Sequence, residues 1–194
     1  MRELIESFNS ASLSGTRSSG SPREGRRWVA SLSLSPAARS QVERLLRLIE
    51  AVESELRALE KELRRFARGD RRCLALQTIY GVGPILACHL LAELGEAARF
   101  RRARQAVRAA GLDPVVDESG ETRRRGRLAK HGAPALRWAL VEAAQHAPRA
   151  NSPDRALHAQ AAARVGGKRA VLTVARKIGR RAYHVLRELE AQAA

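Results

Sequence analysis

The residues best suited to covalent chemistry lie in one polar segment, residues 111–132, with the sequence GLDPVVDESGETRRRGRLAKHG. Ser119 stands near its middle, next to Gly120. The basic residues that follow it are Arg123, Arg124, Arg125, Arg127, Lys130 and His131. Guanidinium groups match the oxygen atoms of a phosphate, and a serine hydroxyl can act as a nucleophile once it is activated. The segment could therefore hold a phosphodiester beside a reactive serine.

The same segment allows plainer interpretations. Ser-Gly is a common turn dipeptide, and the basic residues could form a solvated loop or contact an RNA backbone. The acidic residues Asp113, Asp117, Glu118 and Glu121 could suggest Mg²⁺ ligands. Carboxylates beside so many arginines are more often simply neutralised, and the histidines show no metal-ligand spacing. We expect no metal site and no cofactor in this chain.

A second candidate site is the turn Tyr80-Gly81-Val82-Gly83-Pro84. Gly81 and Gly83 permit a positive φ and let a backbone approach a phosphate closely. Pro84 begins a second helix, whose N-terminal amides favour an anion. The pattern predicts a helix-hairpin-helix that binds DNA through Gly81, Val82 and Gly83 without reading its sequence. A plain helix turn is the alternative, and a dinucleotide fingerprint is excluded because the third glycine and the flanking strand are absent.

The charge of the chain points to a polyanionic partner. Lys and Arg total 36 against 20 Asp and Glu, which gives a formal net charge of +16. Nucleic acid is favoured over an anionic membrane surface, although codon bias alone could also enrich arginine. The sequence has no signal peptide and no apolar run long enough to cross a bilayer, so we expect a cytoplasmic, nucleoid-associated protein. Cys73 and Cys88 form no CxxC motif and are expected to be free, buried thiols.

The elements that must position these sites are predicted to be helical. Ala, Leu, Arg and Glu dominate, and no alternating apolar run signals a strand, so the fold class is all-α. Residues 1–35, rich in Ser, Gly and Arg, are predicted to be a disordered basic tail. Residues 36–68 are predicted to be one coiled-coil helix, and residues 71–190 a compact helical domain that contains the helix-hairpin-helix.

The predicted coiled-coil helix carries apolar residues at spacings of three and four. These residues are Val42, Leu45, Ile49, Val52, Leu56, Leu59, Leu63 and Phe66. The narrow stripe with charged flanks favours a partner helix, and so an oligomer through residues 42–66. A single amphipathic helix that packs on its own domain remains the alternative.

The ordered motifs IYGVGPILACHLLAELG, AVRAAGLDPVVDESG, GAPALRWALVEAAQHA and RAVLTVARKIGRRAYHVLRELE carry a family resemblance. Together they resemble the C-terminal transposase domain of bridge-RNA-guided insertion-sequence transposases, the IS one-ten family (IS116/IS110/IS902-type). The resemblance covers about residues 36–190, including the coiled-coil segment.

This resemblance implies a DNA-binding recombinase that acts in DNA transposition. In the family, a serine after the GLxP motif attacks DNA and forms a phosphoserine intermediate, and that serine corresponds to Ser119 here. The surrounding basic residues would hold DNA, and the coiled coil would assemble protomers and contact a guide RNA. Family members also carry an N-terminal RuvC-like domain with metal-binding acidic residues, and we expect no counterpart of that domain in this sequence. We therefore expect Mg²⁺ only with that domain, and an isolated chain that binds DNA but cuts poorly.

The alternative function is a non-catalytic helix-hairpin-helix DNA-binding module. Such a module could regulate a full-length transposase through a hetero-oligomer. A coiled-coil scaffold with incidental basic charge is the third interpretation, and it predicts oligomers without salt-sensitive DNA binding.

Overall fold

The computed structural model describes residues 22–119, 122–128 and 131–193. The chain divides into two compact units, Met1–Ala58 and Leu59–Ala194. Helices make up nearly all of the regular structure in the described residues, which confirms the all-α class. The exception in those residues is one two-stranded β-hairpin in the second unit.

Two helices form the described part of the first unit. Helix α1 spans Pro22–Ser31, and helix α2 spans Pro36–Gly69 and so also contributes residues to the second unit. Arg26 of α1 forms ion pairs with Glu50 and Glu53 of α2, at N–O distances of 2.6 and 2.9 Å. The Ser35 hydroxyl accepts a hydrogen bond from the Ala38 amide in the first turn of α2.

The sequence predicts a disordered tail through residue 35, and the structure describes helix α1 within that range. Composition alone suggested disorder because Ser, Gly and Arg bury little apolar surface. The ion pairs with α2 supply contacts that composition could not anticipate, since they join residues 24 and 27 positions apart. Residues 1–21 lie outside the described residues.

The second unit contains six further α-helices and a short 3₁₀ helix in the described residues. In chain order they are α3 (Arg71–Leu76), α4 (Pro84–Leu94), the 3₁₀ helix (Ala97–Arg99), α5 (Ala103–Ala109), α6 (Pro134–Ala144), α7 (Arg155–Val165) and α8 (Gly167–Ala193). Proline opens both α4 and α6 at a position where the missing N–H costs nothing. Asp70 caps α3 by accepting hydrogen bonds from the Arg72 and Cys73 amides.

Helix α8 is the centre of the second unit and packs against α3, α5, α6 and α7. Val174, Ile178 and Leu186 of α8 lie in the apolar core with Leu136 and Leu140 of α6. A close approach of these helices needs a small residue. A Cβ atom at Gly179 would lie 3.2 Å from the Leu140 side chain and 3.4 Å from that of Val107.

Both cysteines are free and buried in this core, as the sequence predicts. Burial, together with the neighbouring Cys88, raises the pKa of the Cys73 thiol to about 12. The Cys88 thiol donates to the carbonyl oxygen of Leu63 at 3.6 Å. Cys73 is therefore an inert, protonated core residue at neutral pH.

The β-hairpin lies between α5 and α6 in the chain. Strand β1 spans Pro114–Ser119, strand β2 spans Thr122–Leu128, and the two pair antiparallel. The sequence predicts no strand here. Strand prediction relies on alternation of apolar and polar residues, and this segment is polar and charged along most of its length.

Candidate nucleic-acid interface

Ser119 is the last residue of β1 and pairs with Thr122, the first residue of β2. The register then places Glu118 opposite Arg123 and Asp117 opposite Arg124. The acidic patch and the arginine run thus occupy facing strands of one hairpin.

Only some of the remaining basic residues of the predicted site lie within the described residues. Arg125 pairs with Val116, and Arg127 lies one residue before the end of β2. The register shifts between Pro114 and Val116, which marks an irregularity near the base of the hairpin. Lys130, Gly120 and Glu121 lie outside the described residues.

The hairpin joins the helical unit through a set of backbone contacts, which we call the hairpin root (residues 109–113 and 131–133). The Ala133 amide donates to the Ala109 carbonyl at 2.8 Å. Leu112 is fully buried. A Cβ atom at Gly132 would lie 2.3 Å from the Ala109 carbonyl oxygen, so only glycine fits there.

Three arginines from three helices contact the hairpin root. Arg176 of α8 donates from Nε to the Leu112 carbonyl at 2.7 Å. Arg137 of α6 donates to the Ala110 carbonyl at 3.0 Å, and Arg108 of α5 lies 3.1 Å from the Asp113 carboxylate. Burial lowers the pKa of the Arg176 guanidinium from its ordinary value, with Asp113 acting in the opposite direction. The start of the hairpin is therefore held by the helical unit.

The predicted DNA-binding turn joins α3 to α4. Its residues differ from one another in how closely other atoms of the protein surround them. Gly81 has a φ of +88°, and a Cβ atom there would lie 2.4 Å from the Ala143 carbonyl oxygen of α6. Val82 is 5% exposed, and its amide donates to the Ile79 carbonyl at 3.0 Å. Gly81 and Val82 thus have clear packing roles inside the unit.

Gly83 is the open position of the turn. It is exposed, and a Cβ atom at this position would meet nothing within 4 Å. Its φ of −85° is ordinary for any residue, so the left-handed conformation that glycine permits is not used at Gly83. The packing of α4 against α6 fixes the direction of the backbone at Gly81. Gly83 has an extended backbone conformation and is the N-cap residue of α4.

The sequence analysis missed a second group of arginines, Arg101, Arg102, Arg104 and Arg108, which line one surface groove beside the hairpin root. The signal was present as the run RRARQAVR. Its spacing does not show that Arg101 and Arg102 precede α5 or that all four arginines line one groove.

The described side chains do not form a metal centre. No three His, Cys, Asp or Glu residues of the described part converge on one point. Mg²⁺ is expected only with the RuvC-like domain that the family resemblance implies. No described helix is long and apolar enough to cross a membrane.

The fold and site define an all-α unit with an inserted, arginine-rich β-hairpin. Residues 73–159 match the model of the Transposase IS116/IS110/IS902 family. This match includes the α3–α4 turn, the arginine groove, the whole hairpin and its root. Residues 73–159 are therefore similar to that family of transposases, which confirms the resemblance inferred from the motifs.

Two curated relatives agree with the family match. The chain is 33% identical over 108 residues to a probable family 20 transposase of Pseudomonas aeruginosa PAO1. It is 27% identical over 105 residues to an uncharacterized protein of insertion element IS116 from Streptomyces clavuligerus. These matches cover 55% and 54% of this chain, but only 32% and 26% of the relatives. The chain thus corresponds to about a third or less of their length.

Proposed function

We propose that this chain carries the DNA-handling part of an insertion-sequence transposase. In this proposal it binds DNA and supplies Ser119 as the nucleophile in DNA transposition. The observation that carries the proposal is the family match over 73–159, because it spans the serine, the basic strand and the helices that hold them. The formal charge of +16 supports a nucleic-acid partner independently.

The proposed reaction is an exchange of phosphate esters. The Ser119 hydroxyl oxygen forms a bond to a DNA phosphorus, and the bond from that phosphorus to one sugar oxygen breaks. The serine proton passes to a base, and the departing sugar oxygen takes up a proton. A serine hydroxyl is weakly nucleophilic alone, so we propose that a RuvC-like acidic domain must complete the site. The isolated chain then binds DNA and cleaves it slowly or not at all.

The arginines of β2 are the proposed DNA contacts of this site. Arg123, Arg124, Arg125 and Arg127, with Lys130, bring cationic side chains to the strand that follows the serine. Guanidinium groups would stabilise the charge that develops on the attacked phosphate. Protomers assemble through residues 42–66 in this proposal, either as homo-oligomers or with a full-length transposase, and a guide RNA is a further partner.

The test of the catalytic role is covalent capture of DNA. Wild type, Ser119→Ala and Thr122→Val are each combined with a RuvC-like domain, labelled insertion-sequence-end DNA, guide RNA and Mg²⁺, and run on a denaturing gel. We expect a covalent adduct with wild type and with Thr122→Val, and none with Ser119→Ala. Thr122→Val is the matched control because it removes a hydroxyl from the position that pairs with Ser119.

Equal adduct formation by Ser119→Ala would refute the serine as nucleophile. DNA binding by Ser119→Ala should match wild type, because the change removes one neutral hydroxyl group. Cleavage by the purified chain with Mg²⁺ and guide RNA, but without another subunit, would refute the need for an acidic domain.

A second candidate function is a helix-hairpin-helix module that binds DNA without cutting it. The observation that favours it is the open, exposed backbone at Gly83, directly before the first turn of α4. A phosphate could approach this backbone, since the N-terminal amides of a helix favour an anion.

A bulky residue at Gly83 should block such an approach without disturbing the fold. We expect Gly83→Val to weaken binding of any duplex about tenfold or more, as the loss of one charge-assisted contact predicts. Gly167→Val, also at an open position, is the matched control and should bind as wild type does. Unchanged binding by Gly83→Val would exclude the turn as a DNA contact. Gly81→Val is unsuitable, since it would clash with Ala143 and unfold the unit.

A further inference from the structure

We propose that the groove lined by Arg101, Arg102, Arg104 and Arg108, the arginine groove, binds the phosphate backbone of duplex DNA. This site is separate from the hairpin strands and from the glycine turn. The inference rests on the proposed function, because it concerns how the same DNA is held.

The arginine groove is a concave surface with a volume of about 360 Å³. Its lining consists of these four arginines and Gln105. All five residues are exposed, and the Arg108 side chain is 70% exposed. The groove therefore offers guanidinium donors to a ligand that arrives from solvent.

Within the side chains that the structure describes, the groove holds more positive than negative charge. Among the side chains that the structure describes, Asp113 is the one carboxylate that pairs with this set, through Arg108 at 3.1 Å. Arg101, Arg102 and Arg104 bring three positive charges into one concavity, where they repel one another. Such self-repulsion destabilises a fold, and a polyanion in the groove would relieve it. Guanidinium groups match phosphate oxygens through paired N–H donors, which favours a phosphate backbone as the ligand.

The backbone that presents these arginines is fixed before any ligand arrives. The Tyr183 hydroxyl of α8 donates to the Phe100 carbonyl at 3.1 Å. The Arg101 amide donates to the Gln105 side chain at 2.7 Å, and the Gln105 amide donates to the Arg102 carbonyl at 2.9 Å. A fixed backbone reduces the ordering that binding requires, so the groove is organised for a ligand.

The position of the groove links it to the proposed catalytic segment. Arg108 pairs with Asp113, and Asp113 directly follows Leu112, whose carbonyl is held by Arg176. The groove thus adjoins the hairpin root. Duplex DNA bound at the hairpin could extend over the groove, and each phosphate held there would add affinity without reading sequence.

The test compares two double variants that remove equal charge. Arg102→Ala/Arg104→Ala removes two groove arginines, and Arg155→Ala/Arg164→Ala removes two exposed arginines of α7. Binding of the full chain to a fluorescein-labelled 30-base-pair duplex of arbitrary sequence is measured by anisotropy over a salt series. We expect the groove variant to bind about tenfold or more weakly, and its salt slope to fall by about two. The α7 variant should keep the wild-type slope and melting temperature, and the groove variant should melt no lower than wild type because it removes like charges that repel one another.

The possible results distinguish a failure of the groove proposal from a failure of the proposed function. If wild type binds duplex with steep salt dependence and the groove variant binds equally well, the groove is refuted while DNA binding stands. Equal weakening by both double variants would indicate net charge alone and would also refute the groove. A loss of affinity confined to a single-stranded RNA probe would assign the groove to RNA and overturn the duplex assignment. Absence of salt-sensitive duplex binding by wild type would refute the proposed function and the groove together.

Discussion

The two longest helices of the described chain, α2 and α8, have the same pattern of apolar residues but opposite burial. On α8, Val174, Ile178 and Leu186 are each 1% exposed, because shorter helices pack around them. On α2, Val52 and Leu56 are 59% and 52% exposed. A spacing of three and four residues predicts which face of a helix is apolar. It does not show whether the same chain supplies the helices that cover this face.

The largest difference between α2 and α8 should appear in the free energy of unfolding when one apolar side chain is shortened on each helix. Ile178→Ala should lower the free energy of unfolding by about 2–4 kcal/mol, since it leaves a cavity in a packed core. Leu56→Ala should change it by less than about 0.5 kcal/mol in dilute protein, because that side chain is half exposed. Urea unfolding followed by circular dichroism measures both values. Equal losses would mean that the exposed stripe of α2 is buried in solution.

A smaller effect should come from the charged contacts that join α8 to the start of α7. Asp154 is 2% exposed and lies between Lys177 and Arg181. Burial raises the pKa of this carboxyl, but the hydrogen bonds from Arg181 and Lys177 outweigh it, so the pKa lies below the usual 3.8. Asp154→Asn should therefore destabilise the unit by about 1–3 kcal/mol at pH 7, with the loss reduced by the partial exposure of both cations.

The pH dependence of this variant gives the sign of the effect. A carboxyl whose pKa is lowered by folding stabilises the folded state above its unfolded pKa and loses that contribution as the pH falls through its folded pKa. The difference in unfolding free energy between wild type and Asp154→Asn should thus be constant above about pH 5 and shrink below about pH 4. A difference that stays constant down to pH 3 would show that the ion pairs contribute nothing.

A charged substitution in the exposed apolar stripe of α2 should have the smallest effect on the stability of the monomer but a clear effect on oligomer assembly. Val52→Glu places a charge in the exposed stripe of α2, and we expect it to shift the protein from oligomer to monomer in sedimentation velocity runs. Glu55→Ala, which changes an exposed residue of the same helix, should leave the sedimentation coefficient unchanged. A wild-type chain that stays monomeric at high concentration would leave α2 as a lone amphipathic helix.

Much of the helical architecture follows directly from the sequence. Pro36, Pro84 and Pro134 each open a helix, because proline fits the first helical position. Gly95 follows the last residue of α4 with a φ of +56°, a conformation that glycine adopts without strain. These signals are local, so residue types a few positions apart are enough to detect them.

The candidate site was harder to predict because it depends on contacts between distant residues. The packing role of Gly81 depends on Ala143, and the hold on Leu112 depends on Arg176. The arginine groove was missed for the same reason, since its shape depends on how the chain turns before α5. The sequence indicated the reactive segment through its residue types, but not that this segment forms a β-hairpin.

The hairpin root has a consequence for how this family of sequences can vary. The chain leaves the helical unit at Leu112 and returns at Ala133, whose amide meets the Ala109 carbonyl at 2.8 Å. The intervening residues thus begin and end at nearly the same place. Changing the length of the segment between these two points costs little free energy. Each doubling of the length of a flexible loop costs only about 0.6 kcal/mol of closure entropy. The helical unit can therefore hold hairpins of different length or charge while its apolar core stays unchanged.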